Sequence, residues 1–131
     1  MNALYAKAKK AFLDKEIDLL DDDIRAILVD LADYTLDLES HGFLSDIPVG
    51  AIVSTTGNLT GKSTTGGVFD ADDVIFPTVS GDECEAIILI KYTGVSATSN
   101  LIAYIDEAFG LPVTPDGEDI QIQWDSEIFT L

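Results

Sequence analysis

A handful of short stretches hold residue types that could do chemistry. Thr60-Gly61-Lys62-Ser63-Thr64 has the Gly-Lys-Ser that closes a phosphate-binding loop. That motif needs a glycine five positions before Gly61, where Thr56 stands and Gly57 is one residue out. It must also lead into a helix N-terminus, whose free N–H groups face the phosphate. Thr64-Thr65-Gly66-Gly67-Val68 is a poor helix start, so the stretch reads as a surface β-turn. Asp21-Asp22-Asp23 and Asp70-Ala71-Asp72-Asp73 offer carboxylate oxygens of the kind Ca²⁺ takes. Counted as an EF-hand loop, the second has Ile75 where glycine belongs and Gly81 where the distal glutamate belongs. An improvised calcium loop is the functional reading; solvated turn acids that deter edge-to-edge strand pairing are the plain one.

His41, the single histidine, lies between Ser40 and Gly42 and cannot build a zinc site without cysteine or carboxylate help. No serine sits in a Gly-x-Ser-x-Gly elbow, which leaves a Ser-His-Asp triad without its usual local frame. The lone Cys84 excludes an internal disulfide and a multi-cysteine zinc site. Glu83 and Glu85 beside it raise its thiol pKa and argue against a nucleophile. Paired carboxylates for glycoside hydrolysis carry no signal in a chain with 24 acids, and Trp124 is the only tryptophan available as a sugar platform. Asn58-Leu59-Thr60 matches a glycosylation sequon by chance in a chain with no secretory signal. No catalytic residue, cofactor or metal site is expected.

The elements that would position any of these residues follow from composition and pattern. The 131 residues are one domain's worth, and 47% of them are hydrophobic, enough for a core. Seven basic residues against 24 acidic give a net charge of -17, which excludes a nucleic-acid groove and an anionic membrane surface. The charge is uneven. Residues 1–15 hold Lys7, Lys9, Lys10 and Lys15 against Asp14, or 4 - 1 = +3; the remainder holds 3 bases and 23 acids, or -20. No apolar run reaches the roughly 20 residues of a membrane helix, and the lysines at the front lead into no apolar signal-peptide core. A soluble protein made in a reducing cytoplasm is expected.

Ala86-Ile87-Ile88-Leu89-Ile90-Lys91-Tyr92 organises the rest: a β-branched apolar run between turn signals reads as a strand buried on both faces. Residues 2–14 predict an amphipathic helix, with Leu4, Tyr5, Ala8, Ala11 and Phe12 at spacings of three and four. Ile17, Leu19 and Leu20 supply a second apolar anchor. Residues 24–31 predict a strand, and residues 37–46 a loop with one or two helical turns closed by Pro48 and Gly50. Strand-like runs follow at 51–55, 68–69, 74–79, 85–92, 101–105, 120–124 and 128–131. Pro115-Asp116-Gly117 fits a tight turn before the last of them. Ile120-Gln121-Ile122-Gln123-Trp124 alternates cleanly, with one wet face. Together they predict a mainly β fold: a single β-sandwich or jelly-roll-like domain over residues 21–131, preceded by an N-terminal helical arm, residues 1–20.

Ala6-Lys7-Ala8-Lys9-Lys10-Ala11-Phe12-Leu13, then Glu16-Ile17-Asp18, then Ile24-Arg25-Ala26-Ile27-Leu28-Val29-Asp30, resembles a group of small virion proteins of tailed bacteriophages. Their chains open with a short Ala/Phe/Leu helix, a Gly-Glu-Ile-like turn and a strand ending in Val-Asp. Phe43-Leu44-Ser45-Asp46-Ile47-Pro48, Gly67-Val68-Phe69-Asp70-Ala71-Asp72-Asp73-Val74 and Gly110-Leu111-Pro112-Val113-Thr114-Pro115 are similar to the same group. The likeness spans nearly the whole chain, and its motifs are structural. Lys15 stands where the group's first turn has glycine.

The resemblance implies a non-enzymatic phage virion structural protein, first of all a capsid decoration or cement subunit on the outer head. A tail or baseplate component is the alternative within the class; a host-glycan-binding module using Trp124 and nearby acids is the alternative outside it. The implied partners are other copies of the chain and the major capsid protein, or tail proteins, with no nucleic acid and no membrane. The protein would be made in the host cytoplasm and would reside in the virion. The expected contacts lie on the arm: Leu4, Lys7, Lys9, Lys10, Phe12 and Lys15. An amphipathic stripe says that a helix docks but not on whose surface, so packing on its own body and on a neighbour are both open.

Overall fold

A computed structural model describes residues 2–124 and 127–131. Among the described residues nine strands and one α-helix follow in the order β1 (Ala3–Leu4), α1 (Ala6–Leu13), β2 (Ile24–Val29), β3 (Ile52–Thr55), β4 (Val68–Phe69), β5 (Val74–Phe76), β6 (Ala86–Lys91), β7 (Asn100–Ile105), β8 (Ile120–Ile122) and β9 (Phe129–Thr130). Every strand foreseen from the sequence is present, most of them trimmed at one or both ends. A short 3₁₀ turn at Leu44–Asp46 supplies the helical turn expected within residues 37–46, and a second, at Val49–Ala51, runs through Gly50 into β3.

Five strands form an antiparallel sheet in the order β1-β7-β6-β2-β3. β6 lies at its centre, and Ala86 through Ile90 are fully buried, as a run apolar on both faces requires. β2 pairs with it along its full length, from Ile24↔Lys91 to Val29↔Ala86. Alternation then sorts the side chains. Ala26, Leu28, Ile87, Leu89 and Ile105 face one core, while Ile27, Val29, Ile88, Ile90, Leu101 and Tyr104 face another.

The first core is closed by two small antiparallel ribbons, β4–β9 and β5–β8, which contribute Phe69, Val74, Phe76, Ile120, Ile122 and nearby Trp124 and Ile128. The second is closed by the segment between β2 and β3, through Tyr34, Ile47 and Ala51. The result is a mainly β, small sandwich-like domain, as the strand pattern predicted.

Helix α1 covers the β1–β7 edge and reaches both cores, with Ala8 in one and Ala11 in the other. Burying a sheet edge under a helix removes a row of unpaired peptide groups from solvent. The chain enters through β1, where Asn2 Oδ1 accepts the Asp106 and Glu107 amides at 3.1 and 3.0 Å. Tyr5 has no capping side chain; instead the Ala6 amide donates to the Leu38 carbonyl at 2.9 Å. The C-terminus closes in a Schellman pattern, with Glu16 N–H on the Ala11 carbonyl and Lys15 N–H on Phe12. Lys15 takes φ +62°, a left-handed conformation that glycine adopts more readily than lysine.

Candidate functional site

The six residues expected to contact a partner divide by burial. Leu4 is a half-buried strand residue paired with Ala103. Phe12 is half-buried too, its ring 6.3 Å from Phe129, which in turn lies 5.2 Å from Phe69. These aromatics pin the helix to its own β4–β9 ribbon. Lys7, Lys9, Lys10 and Lys15 are exposed. Residues 3–13 therefore lie on their own body, with a cationic face outward.

Helix geometry aligns part of that face. Lys9 and Lys10 lie four and three residues before Leu13, so all three share one side. Leu13 is 86% exposed, so this side of the helix end presents an apolar side chain to solvent. Lys10 is bonded to Asp14, which holds its ammonium proton more tightly than usual. Lys9 and Lys15 have no ion-pair partner among the described residues.

The body's own three cations are spent in one place. Arg25 makes a fork onto Asp23 at 3.0 and 2.9 Å, with its guanidinium 3.8 Å above the Tyr92 ring. Lys91 Nζ donates to the Glu16 carbonyl at 2.6 Å and lies 3.4 Å from Asp22. Lys62 Nζ donates to the Asp22 carbonyl at 2.9 Å and to Asn58 Oδ1 at 3.0 Å. All three therefore tie down the acidic turn that precedes β2.

This settles what the sequence's chemical candidates do locally. Lys62 in the phosphate-loop-like stretch holds a turn together, and a 3₁₀ turn at Thr65–Gly67, not an α-helix, follows it. Each of the three acids of the 70–73 run makes a structural hydrogen bond: Asp70 accepts from Ala71 N–H in its own loop, Asp72 from Thr60 Oγ1 in the preceding turn, and Asp73 from Trp124 N–H beyond β8. Trp124 is 7% exposed and its indole N–H donates to the Asp72 carbonyl at 3.0 Å. It is a core residue and forms no open platform for a sugar; its neighbour Asp125 lies outside the described residues.

His41 Nδ1 is 2.9 Å from the Tyr34 hydroxyl, which is 2.9 Å from the buried Tyr5 hydroxyl. The chain of three satisfies two phenols in an apolar layer, and burial pushes the pKa of both tyrosines up. Cys84 is fully buried, and burial with Glu85 and Asp30 nearby pushes its thiol up to about 11, the direction that its flanking glutamates had indicated.

Sequence reasoning missed one grouping. Asp30, Asp33 and Asp82 bring one carboxylate oxygen each within 4.8 Å of one another, with Asp30 buried and the others exposed. Three oxygens are fewer than the six to eight that Ca²⁺ takes, and Asp30 Oδ1 already accepts the Ala32 amide at 2.9 Å. No local spacing announces the group, because Asp82 arrives from the turn before β6.

No helix among the described residues is long and apolar enough to cross a membrane. No family profile and no curated protein sequence matches the chain.

Proposed function

We propose that this protein is a non-enzymatic structural subunit of a tailed-bacteriophage virion, a capsid decoration subunit that stabilises the head by subunit-to-subunit contacts. The observation that carries the reading is the unspent helix face. Arg25, Lys62 and Lys91 are consumed within the body, while Lys9 and Lys15 stand exposed and Leu13 is almost fully in water. A leucine flanked by unpaired lysines, on an otherwise acidic protein, suits a contact with another acidic surface. The phage virion resemblance of the sequence supplies the setting, with further copies of the chain and the major capsid protein as partners.

The test is co-sedimentation of the purified chain with heads of the phage that encodes it, with and without Lys9→Glu and Leu13→Glu. Both positions are exposed, so the variant should keep its fold and lose the particle. Failure of the wild-type chain to bind heads would overturn the decoration reading, and its recovery on purified tails would replace it with a tail component.

A further inference from the structure

The alternation of β5 and β8 leaves a second exposed apolar face. Val74 and Phe76 turn inward, and so do Ile120 and Ile122; Ile75 is 56% exposed and pairs directly with the exposed Gln121. On the far side of β8, Phe109 exchanges two backbone hydrogen bonds with Gln123, at 2.9 and 3.1 Å. Residues paired across an antiparallel ladder point to the same side. Phe109, 71% exposed, therefore shares one outer face with Gln123, Gln121 and Ile75.

The rim of this face is acidic. Asp73 stands at the start of β5 and is bonded to the Trp124 amide, at one end. Glu118 and Asp119 lie at the other, where Asp119 accepts the Thr78 amide at 2.9 Å. All three are exposed.

We infer that this Ile75–Phe109 face is the acceptor for the Lys9–Lys10–Leu13 stripe of a second copy of the chain. The inference rests on the reading of α1 as the contact helix and names its partner surface. Charge complementarity selects the occupant: a cationic stripe with one exposed leucine meets two exposed apolar side chains between acids. Leu13 packs between Ile75 and Phe109, and Lys9, joined by Lys10 once it exchanges Asp14 for the partner, reaches the acidic rim. Donor and acceptor are different surfaces, so the contact is heterologous. It propagates head to tail and gives a ring or an open string of subunits rather than a two-fold dimer.

Complementation tests this directly by sedimentation velocity at moderate salt. One variant carries Lys9→Glu and Leu13→Glu, and the other Ile75→Asp and Phe109→Asp. A control carries Val49→Glu and Val95→Glu, both exposed and both outside the two surfaces. The wild-type chain and the control should associate. Each test variant alone should weaken association about tenfold or more. Mixed, the two test variants should form one-to-one pairs and nothing larger, because only one live contact remains.

A wild-type chain that stays monomeric, or a mixture that shows no pairing, overturns the inference. Association of the Ile75/Phe109 variant at wild-type strength places the acceptor elsewhere and overturns it too, while leaving the helix reading intact. Association of the Lys9/Leu13 variant at wild-type strength overturns the inference together with the helix reading on which it rests.

Discussion

Lys15 bears a conformational cost that can be removed without breaking an ion pair among the described residues. It occupies the left-handed region at φ +62°, at the residue that closes α1. An L side chain there costs roughly 1 kcal/mol or more relative to glycine. Lys15→Gly should therefore stabilise the protein by about 1 kcal/mol in urea denaturation, less a few tenths for the freer unfolded chain. No gain would mean that the lysine side chain compensates through contacts of its own. Titration of buried groups sets a second expectation. Burial and acidic neighbours raise Cys84 from 9.0 to about 11, and burial with a hydrogen bond to Asp106 raises Tyr104 from 10.0 to about 12. Both groups hold their proton more tightly when folded. Their contribution is complete below the unfolded pKa, and it is lost as pH rises through the folded one. The melting temperature should fall from about pH 9 upward, with Tyr5 and Tyr34 adding to the fall above about pH 10 because their shifts have the same sign. In Cys84→Ala the decline should begin later, at the tyrosines; an unchanged onset would show that the thiol does not drive it.

Among the elements, α1 and β1 are where pattern and packing part company. The spacing of Tyr5, Ala8, Ala11 and Phe12 revealed a docking helix, but the same stripe fits a neighbour's surface as well as its own. Only the assembled sheet shows Tyr5, Ala8 and Ala11 at 0, 1 and 2% exposure within their own cores. β1 was absorbed into the expected helix because two residues carry no period, and their partner β7 lies 100 residues away in sequence. The β6 run, by contrast, was legible because five consecutive buried residues need no knowledge of their neighbours. The acceptor face was half legible: Gln121 and Gln123 marked the wet side of β8, but nothing local joined Phe109 to it. A chain starting at Asp21 would thus lose an edge strand and five core side chains, Tyr5, Ala8, Ala11, Ile17 and Leu19, along with the lysines. It should lose cooperative urea unfolding, whereas Lys9→Glu with Leu13→Glu should retain it. A cooperative, wild-type-like transition in the truncated chain would show that the sheet closes without its edge. A related test lies at Gly110, at φ +107°, where an added Cβ would come within 3.0 Å of the Gln121 carbonyl and 2.8 Å of Ile122 Cδ1. Gly110→Ala should cost about 1–3 kcal/mol, since a backbone carbonyl cannot step aside.

For the whole molecule the question is how chains of net charge -17 attract one another at all. Two copies repel as bodies and attract through a few lysines, and the two effects differ in range. The screening length is about 30 Å in 0.01 M salt, 10 Å in 0.1 M and 3 Å in 1 M. At the lowest of these, each acidic body feels nearly all of the other's charge, and repulsion between 4 - 1 = +3 ends and -20 remainders is dominated by the remainders. At about 0.1 M that long-range term is cut, while ammonium–carboxylate contacts within a few ångströms are screened far less. Near 1 M those contacts are weakened as well, and only the Leu13, Ile75 and Phe109 burial persists. Association should accordingly strengthen from about 0.01 to 0.1 M salt and weaken again toward 1 M. Continued strengthening to high salt would mean that apolar burial alone holds the copies together and that Lys9 and Lys10 add nothing. Weakening from the lowest salt onward would mean that the cationic front end is drawn to the acidic body at long range, without the docked contact. A maximum at intermediate salt, lost in the Lys9→Glu and Leu13→Glu variant, is the signature of lysines and leucine acting at one interface.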